Sequence, residues 1–192
     1  YHKLLRLRSH GINQLDDPLI EPILGFTNAK KNLWYHEMQD LGYHYRLSEI
    51  QAALGISQMK KLDGFISKRR KLAKHYDELF SDCFGILQTQ VQSRDSSAHH
   101  LYVIQVDFTR TQISRNELMT KLRNIGIGSQ VHYRPILTQP YYKSLGYRET
   151  STPHAMQYYS QGLSIPLHPK LTKGKQRRIV RSLQKLLVGY QF

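Results

Sequence analysis

Cysteine is nearly absent: Cys83 is the only one in 192 residues. A lone thiol excludes an intramolecular disulfide framework and a cysteine-rich zinc site, and a reducing setting, the cytoplasm, is expected. Long apolar runs are missing too, so no segment is suited to cross a bilayer as a helix. Acid is scarce, with 14 Asp+Glu against 28 Lys+Arg and a formal net charge of +14. No repeat at solenoid spacing and no low-complexity tract is present. With 40% hydrophobic residues, 12 Gly and 7 Pro, the chain is neither disordered nor collagen-like. What remains is a globular chain long enough for one domain, or one and a fraction.

The surplus charge is uneven. Residues 1–50 hold six Lys/Arg and six Asp/Glu, whereas residues 91–192 hold fifteen against Asp95, Asp107, Glu117 and Glu149. Such a basic half suits nucleic acid, an anionic membrane surface, a phosphorylated small substrate or simply a solvated face.

Residues 13–43 read as irregular, interrupted by Pro18, Pro22 and Gly25. Ser48 and Gln51 then form a capping-box pair, able to satisfy two orphan amides at a helix start. Behind them Ile50, Ala53, Leu54, Leu62, Phe65, Ile66, Leu72, Tyr76, Leu79 and Phe80 recur at helical spacing. This predicts one long helix over 48–80, bending near Gly64. Residues 93–97 read as a loop. Residues 101–108 alternate with period two and predict a strand, with Tyr102, Ile104, Val106 and Phe108 on one face. A second capping pair, Ser114 and Glu117, opens a helix that Gly126 can stop in the left-handed conformation. Residues 127–133 are expected as a strand ended by Arg134-Pro135. Thr152-Pro153 opens a helix to about Gly162, residues 163–165 are extended, and a last helix covers about 172–189. The pattern is a small α/β domain behind a long connecting helix.

Several polar groups invite chemistry. Adjacent His99 and His100 point to opposite faces of an extended segment and have no acidic or thiol ligand at helical spacing, so no metal is expected. Ser9-His10 lacks an arguable third group for a hydrolytic triad. Gly126-Ile127-Gly128 follows a helix rather than a strand, the wrong context for dinucleotide binding. The last helix carries Lys173, Lys175, Arg177, Arg178, Arg181 and Lys185 without an acid, and its five-residue apolar stripe favours core packing with a solvated basic back. His132-Tyr133-Arg134-Pro135 is the most suggestive cluster. It offers a planar cationic fork and two hydrogen-bonding rings at an expected strand end.

Several strings together resemble the DegT/StrS family of pyridoxal-phosphate-dependent sugar-nucleotide aminotransferases, which have fold type I. They are Arg8-Ser9-His10-Gly11-Ile12, the run from Leu41 to Gly55, Gln58-Met59-Lys60-Lys61-Leu62 and His100-Leu101-Tyr102. The runs from Gly126 to Ile136 and from Leu163 to His168 follow in the same order. The resemblance covers nearly the whole chain, and within the family it is closest to the aminotransferases of the pseudaminic acid pathway, with perosamine-type synthases as the near competitor.

The resemblance implies an α/β fold, the C-terminal part of a fold-type I aminotransferase. Residues 1–47 would be a remnant of the large cofactor domain, 48–80 the connecting helix and 81–192 the small α/β domain. It implies pyridoxal 5'-phosphate as cofactor and glutamate as amino donor. A UDP-linked 4-keto-6-deoxy sugar would be the acceptor at C4, in a homodimer with shared active sites, with neither membrane nor nucleic acid as partner. The Schiff-base lysine would lie upstream of this chain, which is therefore expected to be inactive alone. His44, standing where the family has Asn, and Arg46 would be cofactor-binding. His132, Tyr133, Arg134 and Pro135 would contact the sugar nucleotide. The alternative from another class is a non-catalytic basic protein that binds nucleic acid or an anionic surface.

Overall fold

A computed structural model describes residues 1–13, 17–89 and 96–189. It divides into two compact units, Tyr1–Lys60 and Lys61–Phe192.

The first unit begins with α1 (His2–Arg8), which the sequence reading did not foresee. The short α2 (Pro22–Gly25) leads into β1 (Phe26–Thr27) and β2 (Lys30–Lys31), paired antiparallel. The tight turn between these strands puts Asn28 and Ala29 at φ of 51° and 61°. Helix α3 (Glu49–Met59) starts at the expected capping box: the Gln51 amide donates to Ser48 Oγ and the Ser48 amide to Gln51 Oε1. Among the described residues of this unit no large apolar side chain is buried; Ser9, Gly11, Asp17 and Gly25 are its buried positions. Backbone pairing and polar ties hold it instead.

The second unit has a proper core. It runs α4 (Leu62–Phe80), β3 (Ile86–Thr89), β4 (Tyr102–Val106), α5 (Arg115–Asn124), α6 (Pro140–Ser144), α7 (Pro153–Gln161), β5 (Gly162–Ile165) and α8 (Lys173–Val188). The sheet has the order β3-β4-β5, antiparallel throughout. Tyr102, Ile104 and Val106, one face of β4, are fully buried with Tyr76, Leu118, Leu122, Leu163 and Leu183. Each such aliphatic side chain contributes about 1.5–3 kcal/mol by leaving water. The aromatic centre satisfies its polar tips: Tyr76 donates to the Pro166 carbonyl at 3.0 Å and Tyr102 to Asp77 Oδ1 at 2.6 Å. Burial pushes the Tyr76 phenol pKa well above its ordinary value. Gln176, also fully buried, donates to the Leu72 carbonyl at 2.8 Å and ties α8 to α4. The apolar stripe of α8 lies inward and its six cations are exposed, as the sequence predicts.

Three expectations change. The single helix over 48–80 is two helices, interrupted at Lys60–Lys61 rather than bent at Gly64. The lysines follow the carbonyl end of α3 and Asp63 sits in the first turn of α4, which suits the two helix dipoles. The strand expected over 127–133 is an extended loop with one bridge, Gln130 to Ser164. The next amide, Val131 N–H, donates to Gln130 Oε1 and is lost to a ladder. The strand expected over 101–108 ends at Val106, because Asp107 Oδ1 accepts from the Thr109 and Arg110 amides and from Thr109 Oγ1 and turns the chain. The Thr109 hydroxyl is the largest influence on this carboxyl, which titrates below its usual range. Of the loop expected over 93–97, residues 93–95 lie outside the described residues.

Candidate functional site

Two of the recognised strings meet in the first unit. The His10 amide donates to the Tyr43 carbonyl at 2.9 Å, Tyr43 N–H to Leu7 O at 2.7 Å and Tyr45 N–H to Arg8 O at 2.9 Å. Two glycines in these strings, Gly11 and Gly42, are explained by this crossing. Gly11, at φ +74°, would place a Cβ 1.6 Å from the Asp40 carbonyl oxygen, and a Cβ on Gly42 would fall 2.0 Å from the Gly11 nitrogen. Only hydrogen fits at either position. Arg6 fastens the crossing from below, its Nε donating to Asp40 Oδ2 at 2.9 Å and its Nη1 reaching Asp17 Oδ2 at 3.4 Å.

Beside the crossing opens a cleft of about 500 Å³ whose lining includes Ser9, His10, Asn13, Lys31, His36 and Arg46, with no carboxylate among the described residues that line it. Arg46 Nε donates to the buried Ser9 Oγ at 2.6 Å, which orients the guanidinium. His44, exposed, packs its ring against His10, 5.1 Å between centroids, next to the cleft lining. A hydroxyl, a guanidinium, an amine and imidazoles without an acid form a donor set for a phosphate. The residues therefore fit the phosphate end of the expected cofactor.

Glu37 braces this region. Partial desolvation raises its pKa, but donors from the Gln39 side chain, the Ile20 and Glu21 amides and the Tyr35 hydroxyl outweigh it and hold the carboxyl at about 2. Tyr35 lines the cleft, so the brace also fixes a lining residue.

The second candidate lies within the second unit. A cleft of about 330 Å³ is lined by His100, Ser129, Gln130, His132 and Ser164 together with apolar and glycine residues. His132 Nδ1 lies 2.7 Å from Ser164 Oγ, and Tyr133, 74% exposed, stands edge-on to its ring. Arg134 does not share this arrangement. Its Nε donates to Thr138 Oγ1 at 2.8 Å and its Nη2 to the Thr138 carbonyl at 2.7 Å, while the Pro135 carbonyl accepts from the Thr138 amide and hydroxyl. Arg134 and Pro135 thus close a turn, and His132 is the member of the string that reaches the cleft. His99 is buried and His100 is exposed on the cleft, and no group of three metal-ligating side chains occurs among the described residues. No helix among them is long and apolar enough to cross a membrane.

The sequence reading missed Lys31, Asn32, Tyr35 and His36, which fall in the stretch it treated as irregular. It quoted Ser164 within a string but gave it no role. Only proximity in space signals these residues.

Comparison with known proteins follows the same lines. The model of the DegT/DnrJ/EryC1/StrS aminotransferase family matches residues 6–184. A UDP-4-amino-4,6-dideoxy-N-acetyl-beta-L-altrosamine transaminase from Campylobacter jejuni subsp. jejuni serotype O:2 is 35% identical over 193 residues, 98% of this chain and 46% of that protein. The structure of Helicobacter pylori PseC, an aminotransferase of pseudaminic acid biosynthesis, superposes with TM-score 0.77 at 28% identity, over 96% of this chain and 45% of that one. The pyridoxal-phosphate form of the sugar aminotransferase Spr1654 from Streptococcus pneumoniae gives TM-score 0.75 at 24% identity, over 94% and 41% respectively, a likeness of fold. The chain spans between 41% and 46% of the length of the curated relatives it matches.

Proposed function

The chain belongs to the DegT/DnrJ/EryC1/StrS aminotransferase family, and from that premise we propose that it is part of an enzyme that moves an amino group from glutamate to C4 of a UDP-linked 4-keto-6-deoxy sugar. The observation that carries this reading is the donor-lined cleft, without an acid among its described lining residues, built where two family strings cross. Pyridoxal 5'-phosphate, when bound, supplies the electron sink that amino transfer requires. Arg46, His10 and His44 hold its phosphate, with Ser9 orienting Arg46 and the His44 ring packed against that of His10.

In the second unit His132 and Tyr133 contact the sugar nucleotide, and Arg134 with Pro135 keeps the connecting turn closed. Residues 61–192 carry 21 Lys/Arg against eight Asp/Glu, so their field draws a diphosphate-bearing substrate toward this unit. The lysine that anchors the cofactor belongs to sequence outside residues 1–192, and this stretch alone does not transaminate. Two copies share their active sites in a cytoplasmic homodimer.

The test is cofactor retention in the intact enzyme. Arg46→Ala removes a charge-assisted hydrogen bond and raises the pyridoxal 5'-phosphate concentration for half-saturation by about tenfold or more. Unchanged retention would contradict the reading. The exposed cations of α4 and α8, Lys71, Lys74, Arg178 and Arg181 among them, favour a second reading as a polyanion-binding surface. That reading requires a steep loss of nucleic-acid binding with salt, whereas the aminotransferase reading requires none.

A further inference from the structure

Three ties converge on Ser164. The Gln130 amide donates to its carbonyl at 3.1 Å, its own amide donates to the Gln130 carbonyl at 2.8 Å, and its hydroxyl lies 2.7 Å from His132 Nδ1. Ser164 is 5% exposed and belongs to β5, all four residues of which are buried. Among the described residues, His132 is the side chain that the Ser164 hydroxyl meets. A buried O–H needs an acceptor, and the neutral imidazole has one lone pair to give. If Ser164 donates into Nδ1, both groups are satisfied and the ring proton sits on Nε2. The reverse arrangement strands the hydroxyl hydrogen inside the sheet edge. His132 also lines the cleft, where no protein atom among the described residues takes its Nε2.

We propose that Ser164 is a positioning residue, whose hydroxyl fixes His132 as the Nε2–H tautomer and so presents a hydrogen-bond donor to the cleft. The described residues of the lining include no Lys, Arg, Asp or Glu. The group received there is an uncharged oxygen acceptor, a sugar hydroxyl or an acetamido carbonyl, rather than a phosphate. Ser129, whose buried Oγ has no partner among the described residues, lines the same cleft and offers a second hydroxyl. This inference rests on the reading of His132 as a sugar-nucleotide contact.

The experiment is long-range proton–nitrogen correlation NMR on the chain with nitrogen-15 histidine, at alkaline pH where the imidazole is neutral. His132→Gln identifies the resonance by its disappearance. Wild type should show a single tautomer protonated on Nε2. Ser164→Ala, which hardly changes the volume, should admit the Nδ1–H form, and Ser164→Thr, which keeps the hydroxyl, should restore the wild-type pattern. Titration with UDP-N-acetylglucosamine should then show affinity about threefold to tenfold weaker for Ser164→Ala, the scale of one neutral hydrogen bond. A wild-type ring protonated on Nδ1, or an unchanged pattern in Ser164→Ala, would overturn the proposal. A tautomer change as expected, with no binding of the nucleotide sugar by either form, supports the positioning and overturns the sugar-nucleotide reading of His132.

Discussion

Replacing either Gly42 or Gly55 with Ala makes the same chemical change, and the structure assigns the two substitutions opposite signs. A Cβ on Gly42 would lie 2.0 Å from the Gly11 nitrogen and 2.5 Å from the His10 carbonyl carbon. These are backbone atoms, so the two strings must separate by roughly an ångström to reach ordinary contact, and forced separation of this kind costs about 1–3 kcal/mol. The strain falls on the His10–Tyr43 and Tyr45–Arg8 hydrogen bonds and on the Arg46–Ser9 contact beyond them. Gly55 sits inside α3 with nothing within 4 Å of its added Cβ, so Ala there should stabilise the helix by about 0.5–1 kcal/mol. Thermal unfolding followed through Trp34, the single tryptophan and a member of the first unit, reads both. Gly42→Ala should lower the midpoint by several degrees and Gly55→Ala should leave it equal or higher. Equal midpoints for wild type and Gly42→Ala would refute the account of the crossing.

Acid should loosen the first unit through Glu37. Its carboxyl is held at about 2 against an ordinary 4.5, so its stabilising effect is complete above 4.5 and is lost as pH falls through about 2. Amide exchange at Ile20 and Glu21 should therefore rise near pH 2 in wild type, and Glu37→Ala should show fast exchange already at neutral pH. Leu183→Ala should cost about 2–5 kcal/mol in denaturant unfolding, because this fully buried side chain leaves a cavity under α8. Arg134→Ala should open the turn to Thr138 and, in the intact enzyme, reduce kcat/KM for the sugar nucleotide by about 1–3 kcal/mol while sparing the glutamate half-reaction.

Local signals in the sequence transferred well to the structure. The Ser48–Gln51 box and the Gly126 stop, at φ +77°, occur where their chemistry demands them. So does the period-two burial of Tyr102, Ile104 and Val106. Ser114 also caps its helix, but Glu117 spends its carboxylate on Lys121 at 2.8 Å instead of completing a box. What failed was competition between partners. Gln130 captures the Val131 amide and Asp107 captures two amides, and neither choice leaves a mark in hydrophobic periodicity. The first cleft was half legible. Ser9, His10 and Arg46 stand in strings that resemblance marks, whereas Lys31 and His36 arrive through an irregular segment. Sequence spacing also suggested a free cationic fork at Arg134, whereas its Nε and Nη2 each give a hydrogen bond to Thr138, four residues along the chain, a local turn that spacing does not reveal.

The central claim is amino transfer to a nucleotide sugar, and one measurement meets it directly. The intact enzyme is supplied with pyridoxal 5'-phosphate, nitrogen-15 glutamate and a UDP-linked 4-keto-6-deoxy-N-acetylhexosamine, and the nucleotide sugar is weighed by mass spectrometry. The account predicts a UDP-amino sugar that carries the heavy nitrogen, with 2-oxoglutarate formed in equal amount. Transfer of the label to free keto acids alone, with the nucleotide sugar recovered unchanged, would contradict it.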